Sequence, residues 1–135
     1  MDQKQATPEK EVITRFPVLY VAFDLGNSTW KMACSDGRKV RQVTVMARDL
    51  EQVQRALLRA QNHFRMGEGC SVVSCYEAGR DAFWLHRYLQ SRGIDNVVVD
   101  SASLEVDRRL RRAKTDWIDA GKLLRMLIRY HGGEK

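Results

Sequence analysis

The sequence has few cysteines, few prolines and no long apolar run. Its cysteines, Cys34, Cys70 and Cys75, are odd in number and show no paired spacing, which argues against a disulfide framework and a zinc site. All three fall in predicted strands, where a free cysteine usually acts as a small core residue, and a reducing intracellular setting fits that use. Both prolines, Pro8 and Pro17, precede the predicted fold.

The apolar runs are too short to span a membrane, and the first sixteen residues lack the apolar block of a signal peptide. We therefore expect no membrane partner. An apolar share of 44% and a charged share of 30% are typical of one folded domain in a chain of 135 residues. We place that domain at residues 17–131, between a loose N-terminal tail (1–16) and a short C-terminal tail (132–135).

Positive charge is in excess and is unevenly distributed. The net charge of +6 and the isoelectric point near 9.5 favour a polyanionic partner. From residue 101 onward, nine Lys or Arg stand against five acids. Five of these cations precede the last predicted helix: Arg108, Arg109, Arg111, Arg112 and Lys114. They are either a phosphate-binding cluster that holds nucleic acid without reading bases, or a solvated charged face.

Periodicity and turn residues predict the element order β-β-β-α-β-α-β-α. The predicted strands are one ending near Asp24 and those at 29–35, 38–45, 70–76 and 96–100, and the predicted helices are 50–64, 81–91 and 115–130. Asp36-Gly37 predicts the hairpin between strands two and three, and Asp49 is a candidate cap for the first helix. Helical crossovers make strands four and five parallel to strand one. The result is an α/β fold with a mixed five-stranded sheet, order 3-2-1-4-5, and helices on its faces.

The first strand is an apolar run that ends in a charge. The run VLYVAF is too continuous for an edge strand and predicts a central strand buried on both faces. Asp24 follows it and precedes the turn residues Leu25-Gly26-Asn27. A carboxylate here is costly to desolvate unless it is paired, hydrogen-bonded or bound to a metal. Asp24 is therefore either part of an Asx-turn or a functional group at the sheet edge where sites collect.

Three further acids are predicted to reach the same edge. Glu77 ends strand four beside strand one, and Asp116 and Asp119 lie on one face of the first turn of the last helix. Two Mg²⁺ (or Mn²⁺) ions would neutralise four such carboxylates and clamp the oxygens of a phosphodiester. Structural alternatives stay open: Asp116 and Asp119 as cap residues, and Glu77 as a cap or salt bridge near the next helix.

At this point two blocks resemble a known family. YEAGRDAFWLHRYL (76–89) and VVVDSASLEVDRRLRRAKTDWIDAGKLLRML (97–127) are similar to the N-terminal domain of DEDD-type insertion-sequence transposases, a family with bridge-RNA-guided recombinases. YEAG and KTDxxDA are the most specific parts, and the resemblance covers roughly 18–130. It implies an RNase H-like (RuvC-like) fold and Mg-dependent phosphodiester cleavage and strand transfer. The acids that it makes catalytic and metal-binding are Asp24, Glu77, Asp116 and Asp119.

The resemblance also implies partners. DNA is the substrate, a structured guide RNA directs some members, and a homo-oligomer is expected because strand exchange between two duplexes needs at least two active sites. The expected location is the bacterial cytoplasm, with nucleoid association. In the family a separate C-terminal domain carries a serine nucleophile, and we expect this chain to lack that domain.

Two other classes compete with this interpretation. DLGNSTWK also resembles the phosphate-binding turn of actin, sugar kinases and chaperone ATPases, in which residues 26–29 would wrap an ATP phosphate. Such enzymes close two lobes over the nucleotide, whereas this chain has material for one. The third class is a nucleic-acid-binding module without catalysis. Trp84 and Trp117 either stack on bases or pack in the core.

Overall fold

The computed structural model describes residues 17–67, 69–100 and 119–131, which build a five-stranded sheet with helices on both faces. The elements are β1 (Val18–Leu25), β2 (Thr29–Ser35), β3 (Val40–Met46), α1 (Leu50–His63), β4 (Ser71–Glu77), α2 (Ala82–Ser91), β5 (Asp95–Val99) and α3 (Ala120–His131). The strand order β3-β2-β1-β4-β5 confirms the predicted one. β2 is antiparallel to β1 and β3, whereas β4 is parallel to β1 and β5.

Side chains of β1 point alternately to the two faces of the sheet and pack in two core layers, as expected of a central strand. Leu19, Val21 and Phe23 pack with α1 and α2 on one face, and Ala22 packs with α3 on the other. The first face carries the large aromatic side chains. The second is lined mainly by small residues, against which α3 presents buried residues Ala120, Leu123, Leu124 and Leu127. These four residues form the apolar stripe by which α3 packs on the sheet.

The two helices on the first face, α1 and α2, begin and end within one residue of their predicted bounds. The Asp49 side chain accepts the Gln52 N–H at 3.1 Å and caps α1. After α2, Gly93 adopts a φ of 79°, and the Ile94 N–H donates to the Leu89 carbonyl at 3.0 Å. This is a left-handed backbone conformation, which glycine adopts without a steric cost because it has no Cβ.

The β2–β3 hairpin differs from the prediction. The Asp36 carboxylate accepts the N–H groups of both Arg38 and Lys39, each at 2.9 Å. Those amides are therefore not available to the strand ladder. The connection spans four residues, 36–39, and β3 begins at Val40 instead of residue 38.

The last helix begins later than predicted. α3 begins at Ala120, not near residue 115, because the Asp119 side chain accepts the Lys122 N–H at 2.9 Å and caps the helix there. Asp119 therefore precedes the first turn instead of lying within it. Asp116 lies outside the described residues.

The three cysteines are free thiols. Cys34 and Cys75 are buried in strands, as predicted, and burial raises the pKa of each to about 12. Cys70 is half-buried and lies one residue before β4, so its assignment to a strand was wrong. No helix in the described part of the chain is long and apolar enough to cross a membrane.

Candidate active site

A cavity of about 390 Å³ opens at the carboxyl ends of β1 and β4. Its walls include Asp24, Leu25, Glu77 and Leu123, together with the loops after both strands, residues 26–27 and 78–81. Parallel neighbours deliver their carboxyl ends to the same edge of a sheet, which is where ligands bind in open α/β folds. The predicted edge therefore carries a real cavity, and two of the four predicted acids line it.

Asp24 and Glu77 occupy neighbouring positions on one face of the sheet. β1 and β4 are paired in parallel up to the residues immediately before these two acids. Alternation puts Asp24 on the side of Ala22, and Glu77 on the side of Cys75, both of which pack against α3. The two carboxylates therefore belong to the layer that α3 covers.

Asp119 adds a third acid to this layer from the N-terminus of α3. Burial raises the pKa of Asp24 above its ordinary value; Lys31 opposes that rise, and the carboxylates of Asp119 and Glu77 add to it. Two acids that are far from Asp24 in the sequence are thus close enough to act on it. A cation among them would relieve this repulsion.

Lys31 is a site residue that the sequence reasoning missed. It is the cross-strand partner of Asp24 in the β1–β2 ladder, and such partners project to the same face. Its charge favours the ionised form of Asp24. The turn after β1 pairs Leu25 with Trp30 and therefore Asp24 with Lys31, and the sequence pattern alone does not reveal that register.

These acids offer oxygen donors, which suit a hard divalent cation such as Mg²⁺. Within residues 17–67, 69–100 and 119–131, no group of three His, Cys, Asp or Glu side chains is arranged to hold a metal ion. Mg²⁺ is commonly held by one or two carboxylates, with water and substrate phosphate completing its shell. Asp24 and Glu77, with Asp119 nearby, fit that mode of binding.

The turn after β1 is closed by its own backbone. The Gly26 N–H donates to the Thr29 carbonyl at 3.1 Å, and a Cβ on Gly26 would lie 2.6 Å from that oxygen, so glycine is required. Two arginines bind the next residue: Arg48 donates to the Asn27 carbonyl at 2.9 Å and Arg80 to its side-chain oxygen at 3.1 Å. Asp24 itself belongs to β1, and no Asx-turn hydrogen bond to it occurs among the described residues.

Asp81 anchors the far wall of the cavity. It is 9% exposed, accepts the Trp84 indole N–H at 2.8 Å and pairs with Arg48 at 3.3 Å. Trp84 packs on the core beside Trp30, with ring centroids 6.1 Å apart, so the structure supports its core alternative. Arg48 thus joins the start of α2 to the β1–β2 turn, because it pairs with Asp81 and donates to the Asn27 carbonyl.

Several predicted residues lie outside the described part of the chain. They are the acid Asp116, the aromatic Trp117 and the five cations Arg108, Arg109, Arg111, Arg112 and Lys114. The predicted N-terminal and C-terminal tails lie outside it as well.

The chain is similar to a protein from Sinorhizobium fredii named "Putative transposase y4rJ". The two are 37% identical over 121 residues, which is 86% of this chain and 31% of the relative. This chain therefore spans about a third of the length of that protein. The similarity supports a relation to transposases. No family model and no solved structure matches the chain.

Proposed function

We propose that this chain is the metal-dependent catalytic domain of a DNA transposase with a RuvC-like, RNase H-like fold. The observation that carries the proposal is the side-by-side position of Asp24 and Glu77 beneath α3, whose cap Asp119 acts electrostatically on Asp24. The similarity to a protein named as a transposase supports the same class. Asp116 is the fourth proposed ligand, three residues before Asp119.

Each acid has a role in this proposal. Mg²⁺ or Mn²⁺, when bound, supplies activation of a water or a DNA hydroxyl and stabilisation of the leaving oxygen. The chain's own residues would hold and orient the metal ion. Asp24 and Glu77 offer their carboxylate oxygens from strand ends, and Asp119 offers its own from a helix terminus. The charge of Lys31 favours the ionised form of Asp24 and opposes the effect of the neighbouring acids on its pKa. Rigid placement matters because catalysis of phosphoryl transfer depends on positioning and charge stabilisation.

DNA is the proposed substrate, and guidance by a structured RNA and a homo-oligomeric assembly are further parts of the proposal. Exchange of strands between two duplexes requires at least two such centres. In the resembling family, strand transfer also uses a serine from a second domain. We therefore expect the acids described here to account for metal binding, and strand transfer to require such a serine as well.

A Mn²⁺ titration of the 135-residue chain, followed by EPR of the free ion, tests the proposal. We expect binding that Asp24→Asn weakens by about tenfold or more, because losing even a residue that hydrogen-bonds to a metal ligand typically costs about 10- to 100-fold in affinity. The matched control is Asp95→Asn, an exposed acid at the start of β5, and it should leave the affinity unchanged. Absence of binding, or equal losses in both variants, contradicts the proposed centre.

The same preparation separates the two competing classes. An ATP-binding lobe would bind Mg-ATP without nucleic acid, measured by calorimetry. We expect no such binding, because the donors at this turn are engaged: the Gly26 amide donates to Thr29, and Arg48 and Arg80 donate to Asn27. A non-catalytic nucleic-acid module would bind DNA without the Asp24-dependent Mn²⁺ site.

A further inference from the structure

We infer that duplex DNA flanking the proposed centre runs along the outer edge of the sheet, between β3 and α1. This inference rests on the proposed function. The surface is called the edge track and is defined by Arg55 and Arg59 of α1, Arg41 of β3, and Arg38 and Lys39 of the hairpin.

A groove of about 220 Å³ forms the middle of the edge track. It is lined by Val43, Thr44, Val45, Gln52, Arg55, Ala56 and Arg59. The helix and the strand are tied at both ends of the groove. At one end the Met46 N–H donates to the Gln52 side chain at 2.9 Å, and at the other Arg41 lies 3.5 Å from the His63 ring nitrogen.

The spacing of the cations suits a regular polyanion. Arg55 and Arg59 are four residues apart on one helix, so they occupy the same face on successive turns. From Arg55 to Arg59 the helix rises about 6 Å at about 1.5 Å per residue. That length is close to two base pairs of duplex, at about 3.4 Å each.

Cations exceed acids along this surface. Glu51 pairs with Arg55 at 3.7 Å, but the two side chains are 82% and 53% exposed, so the pair is weak and easily replaced by a phosphate. Asp36 is engaged by the two hairpin amides. Among the described residues, Arg59 has neither a hydrogen-bond nor an ion-pair partner. Its charge is available for a ligand.

The edge track leads to the cavity. β3 ends at Met46, and two residues later Arg48 donates to the carbonyl of Asn27, which lines the cavity together with Asp24. The groove lies on the α1 side of the sheet and the acids on the α3 side, so a duplex with its reacting phosphate at the acids would reach the cations of the edge track around the end of β3. These contacts would be independent of base sequence.

The groove lining favours a duplex over a single strand. Single-stranded nucleic acids are usually held by aromatic side chains on which bases stack. The residues that line this groove are aliphatic, polar or cationic, and none of them is aromatic. Contact with the phosphates of a duplex is what such a surface supplies.

The test measures binding of a labelled duplex of about 20 base pairs to the 135-residue chain by fluorescence anisotropy, without divalent metal. Arg55→Gln/Arg59→Gln should weaken binding at least tenfold and lower the slope of log affinity against log salt by about 2, at about 0.9 per lost phosphate contact. The control is Arg87→Gln/Arg92→Gln, which removes the same charge from exposed positions at α2. It should change the slope little.

Equal losses of duplex affinity in the two double variants, or no loss of affinity in either, overturn the inference. So does tighter, Arg55/Arg59-dependent binding of single-stranded DNA or of RNA of the same length. Arg55→Lys/Arg59→Lys keeps the charge and should keep the salt slope, which separates loss of contact from loss of fold. Mn²⁺ affinity should not change in any of these variants. Absence of Mn²⁺ binding alongside Arg55/Arg59-dependent duplex binding would sink the proposed function and leave the edge track standing.

Discussion

The two faces of the sheet are built from side chains of very different size. Toward α1 and α2, the fully buried rings of Phe23, Trp30 and Tyr76 meet at near-perpendicular angles, with centroids 6.1 to 6.4 Å apart. Toward α3, the same three strands present Ala22, Ala33, Val73 and Cys75. We refer to these as the aromatic face and the small face.

The aromatic face supplies most of the stability of the fold, whereas the small face positions the proposed site. Large rings on the aromatic face bury the most apolar area per residue, and such burial is the dominant favourable term in folding. Small residues on the other face let α3 lie close to the sheet. Its capping residue Asp119 is thereby brought within electrostatic reach of Asp24. Four predictions test whether the two faces do have these separate roles.

The largest effect is expected on the aromatic face. Trp30→Ala should lower the free energy of unfolding by about 3 to 5 kcal/mol, because it leaves a large cavity at a position with 0% exposure. Urea unfolding measures it. Phe83→Ala, at 79% exposure on α2, should change stability by about 0.5 kcal/mol or less. Similar costs for both would refute the idea that this face carries stability.

Overpacking the small face should damage stability and the site together. Ala33→Leu should cost about 1 to 3 kcal/mol, since the added atoms push against α3, and it should weaken Mn²⁺ binding by displacing Asp119. Ala56→Leu enlarges a buried alanine of α1 on the aromatic face. That control should cost stability while leaving Mn²⁺ affinity unchanged. Equal Mn²⁺ losses would show that the faces are not separate.

Asp119 should have two separable roles. Asp119→Ala removes the acceptor of the Lys122 N–H and should cost about 1 kcal/mol in urea unfolding. Asp119→Asn keeps a capping oxygen and should remain within a few tenths of a kcal/mol of the original chain. Both variants should lose Mn²⁺ affinity, because both remove the charge. A full-affinity Asn variant would limit Asp119 to capping.

The smallest effect is a pH dependence at Asp24. Its pKa is raised in the fold, chiefly by burial, so its contribution to stability is present below the unfolded-state pKa near 3.8 and is lost as pH rises through the folded value. Asp24→Asn removes that loss. In buffer with a metal chelator, the variant should therefore be slightly more stable than the original chain at pH 7. The difference should vanish near pH 3, and a difference independent of pH would contradict the electrostatic explanation.

Local patterns predicted most of the fold. The apolar run before Asp24 identified the central strand, and the periodicity of α1 and its cap Asp49 identified that helix to within a residue. The start of α3 was predicted wrongly because the segment TDWID offers two aspartates, each able to cap a helix. Local sequence does not choose between them. In the structure Asp119 makes the capping hydrogen bond.

The candidate site was only partly predictable. Asp24 and Glu77 followed from strand ends and crossover handedness, both of which are readable from the chain. Predicting the role of Lys31 requires the register of the β1–β2 ladder. Predicting the roles of Arg48 and Arg80 requires knowing which loops lie against Asn27. Those contacts join residues whose positions along the chain carry no periodic signal.

By itself the sequence determined the elements, the strand order and the two acids at the sheet edge, because hydrophobic periodicity and turn chemistry act over a few residues. Only the tertiary structure decided that Asp119 acts on Asp24, that Lys31 faces the same acid, and that Arg55 and Arg59 line one groove. Burial and Coulomb interactions depend on distances through space. Those distances arise only when the sheet register and the packing of α1 and α3 are in place.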